Sequence, residues 1–110
     1  MGGSQAKIRL FPMSYKLIIR PETELDIQDA FEWYEAQTSG LGSEFVRAVD
    51  TCLSGIGRNP LIYPMIYKQA RRALVRRFPY GILYVFDQDI VSVIACFHSK
   101  RNPKSWQDRL

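Results

Sequence analysis

A chain of 110 residues, 46% hydrophobic and 13% aromatic, is sized for one domain around one core. Its 24% charged residues at that apolar content argue against intrinsic disorder, and its net charge of +4 points to an acidic partner, either nucleic acid or a negatively charged protein segment. Cys52 and Cys96 are too few for a disulfide framework, and with one histidine they form no metal-ligand set, so neither metal nor cofactor is expected.

The longest apolar run is broken by Asp87 and Asp89, and no stretch is long enough to span a bilayer as a helix. The N-terminus lacks the apolar segment of a signal peptide. Both cysteines sit in apolar patterns and read as buried thiols of a reducing compartment. A cytoplasmic protein with no membrane partner is expected.

Residues 1–14 show no period and contain Gly, Ser and Pro. They are set apart as an N-terminal extension, with Met13 an alternative start or the preceding segment an expression remnant, and a single domain over 15–110. Tyr15–Arg20 is short and rich in β-formers, a first strand. Pro21 suits the first turn of a helix, where its missing N–H has no partner to lose.

From Glu22 to Gln37 the period is helical, with Ile27, Ala30, Phe31 and Tyr34 on one face. Glu22, Glu24, Asp26, Asp29, Glu32 and Glu35 face no base in this stretch, and the early ones favour the positive end of the helix dipole. Trp33 lies off the stripe and is expected to pack against a second element. Ser39–Ser43 breaks the helix. A second helix, from Leu41 or Ser43 to Arg58, has an apolar face of Leu41, Phe45, Ala48, Val49, Cys52 and Ile56, with Leu53 at its border. Asn59-Pro60 ends it, after the weakening glycines Gly55 and Gly57. The short break predicts an antiparallel helical hairpin.

Leu61–Tyr67, interrupted by Pro64, is expected as a loop lying on the core. Ala70–Phe78 reads as a strand of mixed faces, which leaves open which side is wet and allows a bulge. Tyr80–Phe86 and Ile90–His98, joined by Asp87-Gln88-Asp89, are apolar on both parities and predict a hairpin covered on both faces. The order is β-α-α-β-β-β, an α+β fold with a helical hairpin packed on a small antiparallel sheet.

Several phrases in this order resemble the ParE/RelE superfamily of toxins from bacterial type II toxin–antitoxin systems, in particular its ParE-like plasmid stabilisation branch. They are Ala30–Gln37 (AFEWYEAQ), Gly40–Phe45 (GLGSEF), Asn59-Pro60, Arg76–Tyr84 (RRFPYGILY) and the tail pattern His98, Arg101, Pro103, Trp106. The resemblance spans residues 15–106. It implies a growth-inhibiting toxin acting on an essential target, DNA gyrase first, and neutralised by a cognate antitoxin protein. A RelE-like, ribosome-dependent mRNA endonuclease is the alternative, and a degenerate, non-toxic interaction module the third reading. A homodimer or a toxin–antitoxin hetero-oligomer fits each.

Metal-free RNA cleavage by 2′-hydroxyl attack needs a base, an acid and cations on the phosphate. His98 has a suitable unperturbed pKa, with Arg76 and Arg101 as the first cations and Arg72 and Lys100 beside them. Two features weigh against it. The resemblance implies a catalytic arginine in the strand phrase of the nucleases, where Tyr80–Tyr84 carries Gly81, and no tyrosine follows the last strand to serve as acid. A lone strand-end histidine equally well caps backbone groups. Arg71, Arg72, Arg76 and Arg77, with Lys100, Arg101 and Trp106, read instead as a surface for an acidic partner, over the alternative of a solvated strand face. Trp106 is also expected to pin the tail onto the helical hairpin.

Overall fold

The computed structural model describes residues 6–10 and 14–110. A strand β1 (Lys7–Arg9) precedes β2 (Lys16–Ile19), the helices α1 (Pro21–Gln37) and α2 (Leu41–Arg58), then β3 (Met65–Tyr67), β4 (Ala70–Leu74), β5 (Tyr80–Asp87) and β6 (Ile90–His98), and a short helix α3 (Lys104–Gln107). The expected α+β arrangement is present, a helical hairpin packed on one sheet. Among the described residues the sheet has six strands in the order β1-β2-β6-β5-β4-β3, and it is mixed: β2 runs parallel to β6 while the other neighbours are antiparallel.

The hairpin of helices forms where the sequence breaks. Gly40 takes a φ of +89°, and the Glu35 carboxylate accepts the N–H groups of Gly40 (2.9 Å) and Gly42 (3.0 Å), tying the end of α1 to the start of α2. At Gly42 a side chain would stand 2.7 Å from the Phe31 carbonyl oxygen, so the helices cross at a spacing only glycine allows. Their apolar faces meet one side of the sheet. Phe45, Val49, Leu53 and Ile56 pack with Leu17, Ile19, Ile82, Tyr84, Val91 and Val93. Leu53, expected at the border, is fully buried.

The double-parity apolar pattern of the long hairpin has two causes. One is burial on both faces. The other is a bulge: Leu83 pairs with Ala95 and Tyr84 with Val93, leaving Ile94 as the extra residue. Val91 and Val93 therefore face the helices before the bulge, and Cys96 does so after it. Ile94 and Ala95 both turn to the opposite face, where they pack with Ala70, Leu83 and Trp106.

Two expectations about elements are corrected, and the segment set apart at the N-terminus contributes a strand. The set-aside extension contains β1, which pairs with β2 and is held by Arg9–Asp50 (2.6 Å) and Lys7–Glu24 (3.8 Å); Met13 lies outside the described residues. The expected loop contains β3, which pairs with β4. The strand expected to reach Phe78 stops at Leu74, because Arg77 adopts a φ of +71° in the turn into β5. Among the described residues no helix is long and apolar enough to cross a membrane.

Candidate functional site

β6 loses its neighbour at Val93, where β2 ends. Its bare edge is closed by side chains. The Val93 carbonyl accepts from the Arg20 N–H (3.2 Å) and the Thr23 hydroxyl (3.0 Å), and the Asp26 carboxylate accepts the Cys96 N–H (3.0 Å). Arg109 donates to the Ile94 carbonyl (2.9 Å) and forks onto both oxygens of Asp26 (2.7 and 3.0 Å). The hydrogen bond to Asp26 pushes the Arg109 guanidinium pKa up. This clasp fixes the start of α1 and the C-terminal turn to the strand that carries His98.

His98 is half-buried at the end of β6. Its Nδ1 accepts the Lys100 backbone N–H at 3.0 Å, which leaves Nε2 to carry the proton of the neutral ring. The ring meets Tyr80 edge-on at 5.1 Å. His98 and Arg101 line a cleft of about 490 Å³ with Tyr80, Tyr34, Trp33 and Asp29. Burial pushes the Tyr34 and Tyr80 hydroxyls up, so both remain donors at neutral pH. Trp33, expected to pack away against a second element, is 59% exposed; it rests edge-on against Tyr34 at 5.2 Å and opens to solvent. The bulge that sends Ile94 to the other face is what aims Cys96 and His98 at α1.

The sheet does not gather the expected arginines. Arg71 turns back to the chain before it, donating to the carbonyls of Leu61 (3.2 Å) and Tyr63 (2.6 Å). Arg72 lies on the opposite face with its aliphatic stem across Gly81, where a side chain would meet that stem at 3.0 Å. The absent strand arginine thus leaves room for a cation from the neighbouring strand. Arg76 and Arg77 stand in the β4–β5 turn rather than on a strand, so Arg76 opens into a different cleft from His98 and Arg101. Lys100 is exposed in the turn after β6.

Trp106, also read as a partner contact, does not pin the tail onto the helical hairpin as expected. It is 3% exposed and packs on the face of the sheet away from α1 and α2, edge-on to Tyr67 at 5.7 Å and Phe97 at 6.4 Å. The direction follows from the chain's path: after the bulge Phe97 points to that face, and α3 folds back over it.

Arg76 and Arg77 line a groove of about 700 Å³ with Arg47 and Arg58 of α2. Its floor is formed by Ala48, Cys52, Gly55 and Tyr63. Glu44 is the one acid in the lining and is spent on Arg77 at 2.8 Å, while Arg77 also stacks over Phe78. Arg58 donates to the Ser54 hydroxyl (2.7 Å). Among the described residues Arg47, Arg58 and Arg76 have no carboxylate partner. Burial pushes the Cys52 thiol up to about 11, so it is an inert part of the floor at neutral pH. Sequence reasoning missed Arg47 and Arg58 because they lie on what reads as the solvated side of α2; their spacing around Thr51 and Gly55 was the available signal. Among the described residues no three His, Cys, Asp or Glu are placed to hold a metal ion.

No protein-family model matches the chain, and no curated protein matches it. Among solved structures it is similar to a chain of the chromosomal ParDE TA system from P. aeruginosa, with a TM-score of 0.71 and 10% sequence identity, over 80% of this chain and 98% of that chain. At that identity the likeness is one of fold.

Proposed function

We propose that the chain is a ParE-like toxin of a type II toxin–antitoxin system, inhibiting an essential bacterial target by binding it and silenced by a cognate antitoxin protein. The fold likeness to a ParDE system carries this reading, because it covers nearly the whole of that chain. The phrases at Ala30–Gln37, Gly40–Phe45 and Arg76–Tyr84 support it independently. DNA gyrase is the first target to test. Inhibition by binding rather than catalysis is favoured because His98 and Arg76 open into different clefts, and the cleft of His98 holds one arginine beside two carboxylates. A developing phosphorane dianion would find little cationic support there.

Induced expression in bacteria, with and without the product of the neighbouring reading frame, is the first experiment. Growth arrest relieved by that product is expected, and inhibition of DNA supercoiling by the purified protein should follow. Growth that continues unimpaired would turn the reading to a non-toxic interaction module. A second reading, ribosome-dependent mRNA cleavage, is favoured by one observation: the Nε2–H of His98 and the Arg101 guanidinium share a cleft. Primer extension on ribosome-bound message tests it. Cleavage that disappears in His98→Ala would establish that chemistry and displace gyrase.

A further inference from the structure

We infer that the groove between α2 and the β4–β5 turn is a docking site for an acidic protein segment that carries apolar anchors. Its rim holds Arg47 and Arg58 from the helix and Arg76 and Arg77 from the turn, against the single carboxylate of Glu44. Guanidinium groups present paired donors that match carboxylate oxygens. The floor is of a different kind. Ala48, Cys52 and Gly55 leave a notch of small side chains along the helix, lined also by Tyr63. An apolar lining beside arginines without carboxylate partners suits a ligand that offers both carboxylates and aliphatic side chains.

That combination selects among anions. A phosphodiester backbone would satisfy the rim and leave the notch wet, because its sugars and phosphates bring no aliphatic group to bury against Ala48, Cys52 and Tyr63. An acidic peptide fills both parts. The turn is also poised to receive it: Arg77 is held by Glu44 and Phe78 and can accept a second carboxylate, whereas Arg76 is exposed and uncommitted. The groove is remote from the His98 cleft, with which it shares no lining residue. A partner bound here leaves Trp33, His98 and Arg101 uncovered. The identity of the segment as part of the antitoxin rests on the proposed toxin reading; the chemistry of the groove does not.

The probe is a fluorescein-labelled peptide of repeating Leu-Glu-Glu-Leu, followed by fluorescence anisotropy with the intact chain. A second peptide replaces its leucines with serine, and oligo(dT) serves as the nucleic-acid competitor. The leucine peptide should bind, and the serine peptide should bind about tenfold more weakly. The double variant Arg47→Glu, Arg76→Glu should lose about tenfold or more, since arginines of this kind act as interface hot spots. Thr51→Trp, which fills the groove from an exposed position without altering charge, should weaken binding similarly while circular dichroism and melting stay as in the parent. Unchanged affinity in a folded double variant, or in Thr51→Trp, overturns the site. Equal binding of both peptides, with full displacement by oligo(dT), makes it a general polyanion site and also overturns the proposal. Growth arrest separates the two claims. A parent chain that binds the peptide but does not arrest growth sinks the toxin reading alone, and one that arrests growth but does not bind it sinks the groove alone.

Discussion

On one face of the sheet Leu17, Ile19, Ile82, Tyr84, Val91 and Val93 are sealed by two long helices through Phe45, Val49, Leu53 and Ile56. On the other, Ala70, Leu83, Ile94 and Ala95 are sealed by Trp106, with Tyr67 and Phe97 at the margin. The first face spreads its burial over many side chains on elements that would be helical in any amphipathic context. The second concentrates it in one indole on a helix of four residues, too short to hold its shape unaided. The tail is ordered because Trp106 is buried, and the arginines around it are positioned because the tail is ordered.

The sharpest way to break that comparison is Trp106→Ala. It should cost about 3–5 kcal/mol and strip amide protection from residues 99–110. Val49→Ala on the helix face should cost less, about 1–3 kcal/mol, and leave tail protection intact. Denaturant unfolding with hydrogen exchange reads both. Equal costs with a protected tail would mean the two faces are held alike.

Next is the clasp at the β6 edge. Asp26→Asn leaves Arg109 charged, one-quarter exposed and without its carboxylate, and should cost about 1–3 kcal/mol by the same unfolding measurement. Loss of tail protection without loss of helix-face protection would show that the clasp serves the weaker face.

The helix face has its own signature in pH. Burial raises the Cys52 thiol from 9.0 to about 11, and raises Cys96 further. The unfolded chain ionises these thiols first. Their contribution is therefore intact below pH 9 and is lost as pH rises through 9 to about 11 for Cys52, by up to about 3 kcal/mol. Thermal melts across that window should show the fall, and Cys52→Ala should make it shallower. The smallest effect belongs to the surface: Arg77→Ala, breaking a pair whose arginine side chain is 67% exposed, should change stability by less than about 0.5 kcal/mol.

The helices and the long hairpin were legible because their periods extend over many residues, and the family phrases fall on them. β1 and β3 were not, since three residues carry no period and their existence depends on a neighbouring strand with an open edge. β4 was drawn too long because Val75 and Phe78 keep an apolar rhythm through a turn that only Arg77's left-handed backbone betrays. The candidate site was less legible than the fold. Arg71, Arg72, Arg76 and Arg77 are neighbours in sequence, yet alternation and the turn send them to a loop, to the tail face and to the α2 groove. Trp33 is exposed where packing was expected, and Trp106 is buried on the opposite face of the sheet from the one expected. A single aromatic off a stripe says that it must lie against something, and the choice between protein and solvent is made by elements far away in sequence.

The parallel pairing of β2 with β6 also has a consequence in time. Lys16–Ile19 must wait for Ile90–Val93 before its own edge is satisfied, so almost every other element of the sheet has to be synthesised first. His98, Trp106 and Arg109 follow later still. A nascent chain can form its helical hairpin early but has no finished sheet to lay it on, and no clasp to hold its tail. Whatever the completed surface engages, a chain still on the ribosome cannot, and competence comes only when β6 has emerged and docked.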